Sequence, residues 1–386
     1  MQIDMERRYK MIMTNENGIY DKEIEEYYCE DVGDLEVKIG RGLIPLVYKE
    51  TDGDLLEKIS KTRQEASDTT GIPIPKIRIR DAWKHELEKY EYSIKLRGAE
   101  VGRWTIKKEH TLYIVTDEDM IPEIRPSWEK TKEPAFGLDA YYIPDKEAAN
   151  YESKVGFFSV SPSVIISTHL REIIISNRNK FLNHYYVGQL VENVRRKNPE
   201  LVSDLFIIRK FTITDLKLIL NRLILEKVPI NDTNTILETV ADYLKDEDRP
   251  IQLAEKVRER LSLVNLQQYA DEKKVLHVIK ISQSASEILS EHSYYPEERA
   301  EMPYVALDSV DNKKFRKAVN KYIDIMKGKD MLPIFLCVSV IRLPLEGYLE
   351  RLGLKVICVS DIEIFALNHV LDVEVEGELS FDEEKE

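Results

Sequence analysis

The spacing of apolar residues changes twice along this chain, and each change predicts a different kind of packing. Up to about residue 160, apolar and polar residues mostly alternate, as in the Ile-Arg-Ile-Arg of residues 77–80, which is typical of half-buried strands. From Ser163 to Leu261 the spacing is helical, and from Lys273 short apolar runs alternate with helical segments. Because 386 residues also exceed one ordinary core, we expect an α+β protein of several compact units.

The same pattern predicts the bounds of individual elements. The predicted strands are 37–47, 77–80, 90–96, 101–106, 111–115, 136–143, 156–160, 275–281, 333–340 and 355–359. The predicted helices are 54–69, 145–153, 163–181, 185–197, 214–226, 233–244, 251–261, 313–326 and 344–352. Gly71 fits the left-handed residue just past the first helix, and Thr214 and Asp232 are candidate N-caps. The acidic residues from Glu374 onward are expected to be disordered.

Charge and cysteine content narrow the classes of function. The formal net charge is −14, which disfavours a nucleic-acid surface because such a surface needs clustered basic residues. The short basic runs 195–197 and 313–317 are interpreted as solvated helix faces. The three cysteines, Cys29, Cys337 and Cys358, are odd in number and lack metal-ligand spacing, which indicates a reduced, cytosolic compartment. Two of them lie in apolar strands and are expected to be inert core thiols.

A search for catalytic and cofactor-binding motifs finds no complete one. The Gly-Arg-Gly of residues 40–42 lacks the third glycine of a dinucleotide-binding loop, and the His-Glu of residues 85–86 lacks the second histidine of a zinc-protease helix. His169 is expected to be a core histidine rather than a metal ligand. No stretch of 18 consecutive apolar residues predicts a membrane-spanning helix. The sequence therefore favours a binding or structural protein, with no cofactor and no metal, over an enzyme.

Five segments, taken in order, resemble the FHIPEP family of type III export-gate proteins. They are KIGRGLIPLV at 38–47 with GDLL at 53–56, PKIRIRD at 75–81, EPAFGLDA at 133–140, STHL at 167–170, and the run 218–243 that contains LEKVPIND and TILETVADY. Their order and spacing match the family from about residue 37 to residue 370. The PAFGLDA and THL segments are more similar to the flagellar FlhA branch than to the injectisome branch.

The resemblance implies a fold of four subdomains. On this sequence they fall at 37–108 with 158–177, 109–157, 178–257 and 258–375, between a linker at 1–36 and an acidic tail at 376–386. The first subdomain is expected to be mixed α/β with the small β-rich second one inserted into it. The third is expected to be all-helical and the fourth α/β.

The resemblance also implies a function. Family members form a nine-membered ring below the export channel and serve as a docking platform for export chaperone–substrate complexes and for components of the export ATPase complex, with no chemical reaction. They carry an N-terminal membrane domain that this sequence lacks. We therefore expect the chain to be the cytoplasmic domain of a bacterial inner-membrane protein.

The family's chaperone-docking pocket lies between the first two subdomains. The positions that match it here are an acid, a phenylalanine, a threonine and three aliphatic residues: Glu133, Phe136, Thr168, Leu138, Val160 and Ile165. Flagellar members often have aspartate at the position of Glu133. An exposed phenylalanine rimmed by aliphatic residues makes a socket for an anchor side chain, and an acidic neighbour adds orientation and selectivity. The alternative interpretation is that Phe136 and Ile165 are simply core residues.

The ring interface and the competing functions are also open to test. The resemblance assigns Tyr27 or Tyr28 of the linker and Arg63 to contacts between ring subunits. One alternative is the injectisome export gate. Another is an enzyme that binds a small ligand at the strand C-termini of the 275–359 unit, and a third is a purely structural ring subunit whose cleft has no ligand.

Overall fold

The computed structural model describes residues 34–82, 86–151, 153–354, 356–367 and 370–381, so Tyr27, Tyr28 and Cys29 lie outside the described residues. Its strands are β1 Leu35–Ile39, β2 Arg78–Asp81, β3 Glu91–Leu96, β4 Ala99–Thr105, β5 His110–Val115, β6 Glu129–Lys132, β7 Asp139–Pro144, β8 Phe157–Val160, β9 Val275–Ile281, β10 Ser293–Tyr294, β11 Tyr304–Val305, β12 Ile334–Cys337, β13 Ile357–Ser360 and β14 Asp372–Leu379. Twelve of these strands form three four-stranded sheets, and β10 pairs with β11.

The α-helices lie between and after the sheets. They are α1 Leu55–Thr70, α2 Asp145–Ala148, α3 Pro162–Ser176, α4 His184–Arg195, α5 Pro199–Ser203, α6 Ile213–Leu225, α7 Thr233–Tyr243, α8 Pro250–Arg260, α9 Ser262–Gln267, α10 Gln283–Glu291, α11 Ser309–Gly328, α12 Ser339–Arg351 and α13 Asp361–Phe365. Short 3-10 helices span Arg41–Leu46, Lys49–Thr51, Glu118–Met120 and Arg178–Phe181, and a π-helical turn spans Asp204–Ile208. The mixture confirms the expected α+β class.

The first sheet has the strand order β2-β1-β3-β4, with β1 parallel to β2 and antiparallel to β3. The β3–β4 hairpin turns at Arg97 and Gly98, whose positive φ angles of 48° and 82° are those of a tight hairpin turn. Helices α1 and α3 pack together, and their apolar residues share one core with this sheet. Gly71 ends α1 with φ 70°, as the sequence predicts.

The second sheet is antiparallel, with the order β6-β7-β5-β8, and it has an aromatic core of its own. Within that core the rings of Tyr113 and Phe157 stack at 4.9 Å between centroids, and Trp128 stacks on Phe157 at 6.0 Å. Strand β8 runs directly into α3, because the hydroxyl of Ser161 caps that helix and Pro162 occupies its first turn. The chain therefore leaves the second sheet directly into a helix of the first unit.

Helices α4 to α8 follow, and their buried residues continue the core of the first unit. Asp232 caps α7 as predicted. The expected cap at Thr214 is wrong, since the hydroxyl of Thr212, two residues earlier, accepts the N–H of Asp215 at 3.0 Å and α6 begins at Ile213. Either threonine could cap a helix, and the side-chain geometry of Thr212 decides which does.

The third sheet has the order β13-β12-β9-β14 with all pairs parallel, and apolar clusters cover both of its faces. Strand β14 corrects the expectation of disorder after Glu374. Residues 372–379 pair with β9, and Leu379 is fully buried. The segment DVEVEGEL alternates apolar and acidic residues, and that alternation outweighs its charge once a neighbouring strand is available.

Two predicted strands end early. The strand predicted at 37–47 stops at Ile39, and the chain at Gly40 then passes so close to the segment before β3 that a Cβ there would lie 2.1 Å from the carbonyl oxygen of Glu88, so only glycine fits. The strand predicted at 333–340 stops at Cys337, and helix α12 begins at Ser339 with Pro344 inside it. That proline cannot donate to the carbonyl of Val340, which accepts the hydroxyl of Tyr295 at 3.2 Å instead.

Candidate functional site

The loop between β6 and β7 is organised around one buried carboxylate. Glu133 is 5 % exposed, and its side chain accepts the backbone N–H groups of Ala135 at 2.7 Å, Phe136 at 2.6 Å and Leu138 at 3.1 Å. Its own N–H donates to the carbonyl of Leu138 at 2.9 Å. Hydrogen bonds from N–H groups to an ionised acceptor are the strong ones, so Glu133 fixes the path of the loop.

Fixing the loop turns its apolar side chains outward. Phe136 is 58 % exposed and Leu138 is 37 % exposed, and Gly137 between them has φ 74°. A phenylalanine costs free energy in water, so a rigid loop that holds one outward is a feature that calls for a partner. Phe136 is therefore a surface residue and not a core residue in this structure.

Helix α3 carries the next two candidate residues. Ile165 is 6 % exposed and belongs to the core of the first unit, whereas Thr168, one turn later, is half-buried. His169 follows Thr168, and its Nδ1 is 2.9 Å from the hydroxyl of Tyr92. Burial lowers the pKa of His169, and the charge of Glu133 partly opposes this, so the glutamate of the loop lies beside this part of the helix.

A cleft of about 470 Å³ opens between the first and second sheets. Val160 and Ile165 line it, together with residues of the 3-10 helix Arg41–Leu46 and with Tyr90 and Tyr142. The other four candidate residues do not line this cavity. The structure thus divides the six predicted residues into a cleft pair, three residues of the Phe136 loop, and Thr168 on α3.

The charges at the rim of the cleft are already paired. Lys107 is in an ion pair with Glu129, and Lys108 is 2.6 Å from Glu109. The walls themselves are mostly aliphatic and aromatic. Such a cleft accepts an apolar side chain, and its polar rim would contribute little to affinity.

Sequence reasoning missed the wall formed by Leu43, Pro45, Tyr90 and Tyr142. The available signal was the Gly-Leu-Ile-Pro-Leu of residues 42–46, which was interpreted as the end of a strand. Arg63, assigned to the ring interface, lies half-buried on α1.

A second concentration of titratable groups lies between the helical and third units. Three arginines and four glutamates share it: Arg222, Arg258, Arg342, Glu226, Glu255, Glu346 and Glu363. Clusters of this kind with perturbed pKa values are typical of active sites, so this is the test of the enzyme alternative. Neither cavity described for this molecule is lined by any member of the cluster.

Glu226 is the centre of this ion network. The guanidinium groups of Arg222, Arg258 and Arg342 approach it at 2.5, 2.6 and 3.0 Å. Burial alone would raise the pKa of Glu226, but the three positive charges outweigh it and hold the pKa far below its usual range. With Glu226 this well compensated, the nearby Glu346 is left with burial and a like charge, which raise its pKa to about 7.

The third unit has a cavity of about 580 Å³ at the opposite end from the strand C-termini. It is lined by residues of α11 and by the segments that precede β12 and follow α12, including Lys327, Asp330 and Pro333. Small ligands of parallel sheets bind at the strand C-termini. The position of this cavity does not favour the enzyme alternative.

Comparison with known proteins decides the family. The FHIPEP family profile matches residues 4–367. The chain belongs to the FHIPEP family. The matching relatives include the flagellar biosynthesis protein FlhA of Treponema pallidum, 33 % identical over 311 residues, and that of Bacillus subtilis, 29 % identical over 320 residues. These alignments cover 80 % and 82 % of this chain but only 42 % and 45 % of the relatives, so the chain spans less than half their length.

Several solved structures have the same fold. The Chlamydia pneumoniae CdsV protein superposes with a TM-score of 0.75 at 22 % identity, covering 90 % of this chain and 98 % of that one. The nonameric EPEC SctV-C, solved by cryo-EM, gives 0.68 at 20 % identity, covering 91 % and 99 %. CdsV in complex with CdsO gives 0.69 at 22 % identity, covering 90 % and 98 %. At these identities the likeness concerns the fold.

Proposed function

We propose that this chain is the docking platform of a flagellar type III protein export gate, and that it binds export chaperone–substrate complexes without catalysing a reaction. The observation that carries the proposal is the outward Phe136 on a loop held by three N–H bonds to Glu133. A rigid exposed aromatic anchor costs little ordering entropy on binding, which is typical of an interface hot spot.

The surroundings of the loop support a two-part contact. Phe136 and Leu138 offer an exposed apolar surface, and the cleft at Val160 and Ile165 offers a concave one. Thr168 lies on the same helix as Ile165, one turn further on. A partner that inserts an apolar side chain into the cleft and covers Phe136 would bury both surfaces.

The flagellar branch is favoured over the injectisome branch by sequence likeness. The curated relatives at 28–33 % identity are flagellar biosynthesis proteins FlhA, including those of Treponema pallidum and Borreliella burgdorferi. The type III secretion domains share the fold at 15–22 % identity. Motility-linked export is therefore the proposed setting.

Assembly and location form part of the same proposal. SctV-C and EscV cytosolic domains of this fold are nonameric, and CdsV is found with CdsO. We infer a homo-nonameric ring here, with contacts through Arg63 and the segment that contains Tyr27 and Tyr28, and with components of the export ATPase complex as further partners. None of the described helices is long and apolar enough to cross a bilayer. The ring would sit on the cytoplasmic side of the inner membrane, joined to a membrane domain.

The domain bounds remain a prediction. Subdomains at 37–108 with 158–177, 109–157, 178–257 and 258–375 are supported by the three sheets and the helices between them. Limited proteolysis would test these bounds, since exposed linkers are cleaved first.

The deciding experiment measures binding of a purified flagellar export chaperone–substrate complex by calorimetry. Phe136→Ala should weaken binding at least about tenfold, because a central aromatic anchor is removed. The matched control is Phe365→Ala on α13, whose side chain is 89 % exposed in another unit. Circular dichroism should be unchanged for both variants. Equal affinities for the two variants and the native chain would reject the assignment of the site.

A further inference from the structure

Three donor atoms converge at the edge of the third sheet. His277 on β9 and two glutamates of β14, Glu374 and Glu376, offer ligand atoms that all lie within 4.8 Å of one another. Nδ1 of His277 is 2.7 Å from Oε1 of Glu376 and 3.8 Å from Oε2 of Glu374. The cluster lies in a different unit from the Phe136 loop and belongs to neither cavity.

The strand register explains how the second glutamate reaches the histidine. Glu374 pairs directly with His277, so their side chains share a face of the sheet. The register then shifts by a bulge between Val375 and Gly377, and Glu376 is the extra residue. A bulge bends its strand and re-aims a side chain, and bulges are frequent next to functional sites. Here the unpaired Glu376 reaches Nδ1 of His277 at 2.7 Å, and its side chain is only 10 % exposed.

A fourth side chain orients the imidazole. Oδ2 of Asp271 lies 3.5 Å from Nε2 of His277, on the far side of the ring from the glutamates. Asp271 is itself held, because its Oδ1 accepts the N–H groups of Lys273 at 2.9 Å and Val275 at 2.8 Å. Without a cation, Nδ1 of His277 donates its hydrogen to the carboxylate of Glu376. When a cation replaces that hydrogen, the carboxylate of Asp271 at Nε2 would keep the ring proton on Nε2 and leave the lone pair of Nδ1 for the cation. Histidines that bind metals are oriented by carboxylates in this way.

We propose that His277, Glu374 and Glu376 form a binding site for a Zn²⁺-like divalent transition-metal cation, with Asp271 as the group that orients the histidine. One imidazole and two carboxylates are a donor set that suits Zn²⁺, and three protein ligands leave a fourth position for water. The imidazole disfavours Mg²⁺ and Ca²⁺, which prefer oxygen ligands. Binding would clamp the edge strand β14 to β9.

Lys329 is the competitor for this site. Its ammonium group forms an ion pair with Glu376, and the side chain is 46 % exposed just after the end of α11. A cation that binds Glu376 has to displace or repel that ammonium group. This competition separates a metal site from a merely structural histidine–glutamate contact, because only a metal site gains affinity when the lysine is removed.

Protons also compete with the metal cation, at the imidazole of His277. Burial would lower the pKa of His277, but hydrogen bonds to Glu376 and Asp271 outweigh it and raise the pKa. A metal needs the neutral imidazole, so a proton and a metal cation exclude each other at this ring.

The test is a titration of the whole chain with Zn²⁺ by calorimetry and with Co²⁺ by visible absorption. The native chain should bind one equivalent per protomer, with Co²⁺ bands of low coordination number and a higher melting temperature at saturation. His277→Gln should weaken binding by at least about tenfold, and Asp271→Asn by about tenfold. His292→Gln is the matched control, since that histidine is exposed and its Nδ1 lies 2.9 Å from the carbonyl oxygen of Ile288 in the preceding turn.

The direction of the affinity change in Lys329→Met is the decisive result. It should tighten Zn²⁺ binding by about fivefold or more, because a positive charge next to a ligand is removed. The proposal is overturned if the native chain shows no saturable one-to-one binding. It is equally overturned if His277→Gln and His292→Gln bind alike, or if Lys329→Met leaves the affinity unchanged.

Discussion

Two buried carboxylates stabilise this molecule in opposite ways. Glu133 accepts three neutral backbone N–H groups from residues at most five positions away. Glu226 faces three guanidinium groups, of which that of Arg342 is 116 residues away in sequence. The first therefore shapes one loop, while the second joins helices α6 and α8 to α12 across a unit boundary.

The difference in bonding partners determines how far the effect of losing each carboxylate extends through the molecule. Loss of the N–H bonds at Glu133 leaves the rest of the core untouched, so its consequences stay at the Phe136 surface. Loss of charge at Glu226 removes a shared counterion from Arg342 and Arg258, which are both less than 5 % exposed, and leaves them only Glu255 and Glu363 as ion-pair partners. Breaking one member of a buried ion network is far more costly than never having built it. The predictions below test this contrast, from the largest effect to the smallest.

Glu226→Ala should have the largest effect, a loss of at least about 3 kcal/mol in the free energy of unfolding, because buried arginines lose their counterion. Urea unfolding monitored by circular dichroism measures it. Glu350→Ala is the matched control, since Glu350 contacts the same Arg222 at 2.8 Å but is 44 % exposed, and it should cost under about 1 kcal/mol. Similar losses of unfolding free energy in Glu226→Ala and Glu350→Ala would contradict a central role for Glu226 in the network.

Glu346 should make the stability of the network depend on pH between mildly acidic and neutral conditions. Its folded pKa is raised to about 7 by burial and by Glu226, above the ordinary value of 4.5. The unfolded chain therefore loses this proton first, and stability is lost as the pH rises from 4.5 through 7. Glu346→Gln does not ionise, so it should be more stable than the native chain at pH 8 by ~2 kcal/mol and about equal at pH 4.5. A difference that does not change with pH would contradict this assignment.

Much of the secondary structure was predictable because periodicity within one element is a local property. Strand β9 was predicted at 275–281 and is found there, and helix α7 was predicted to within one residue. The errors arose where a distant group decides. Pro344 stays inside α12 because Tyr295, 45 residues away from Val340, satisfies the carbonyl that the proline frees.

The site was predictable in part for the same reason. The motif around Phe136 identified the loop, but which of its side chains turns inward follows from the three N–H bonds, and a residue pattern does not contain them. Glu133 holds its own loop through these bonds, and its expected contribution to the orientation and selectivity of a partner stays a prediction. The ion network had no local signal, because Arg342 and Glu226 meet only after two units have packed.

Glu133→Gln should act on the loop and little elsewhere. The amide retains one acceptor oxygen but turns an NH₂ group toward backbone donors, which should cost about 1–2 kcal/mol. Hydrogen exchange should accelerate at the amides of Ala135, Phe136 and Leu138, while the strands of the second sheet stay protected. Glu129→Gln, on the exposed face of the preceding strand, is the control and should leave the three amides slow. Uniform acceleration across the sheet would mean that Glu133 supports the whole unit.

Gly137→Ala should have the smallest effect and sharpens the contrast further. With φ 74° and no atom within 4 Å of the new Cβ, the substitution adds backbone strain of ~1 kcal/mol but no clash. Gly353→Ala is matched in both respects, with φ 69° and open space, but lies in the third unit. Equal stability losses, with faster hydrogen exchange at Phe136 only in the first variant, would mean that the N–H bonds to Glu133 keep the loop in a left-handed turn. Unequal losses of stability in Gly137→Ala and Gly353→Ala would mean that the loop stores or relieves the strain at Gly137. The effects of Glu133 and Glu226 would then differ less than their bonding partners suggest.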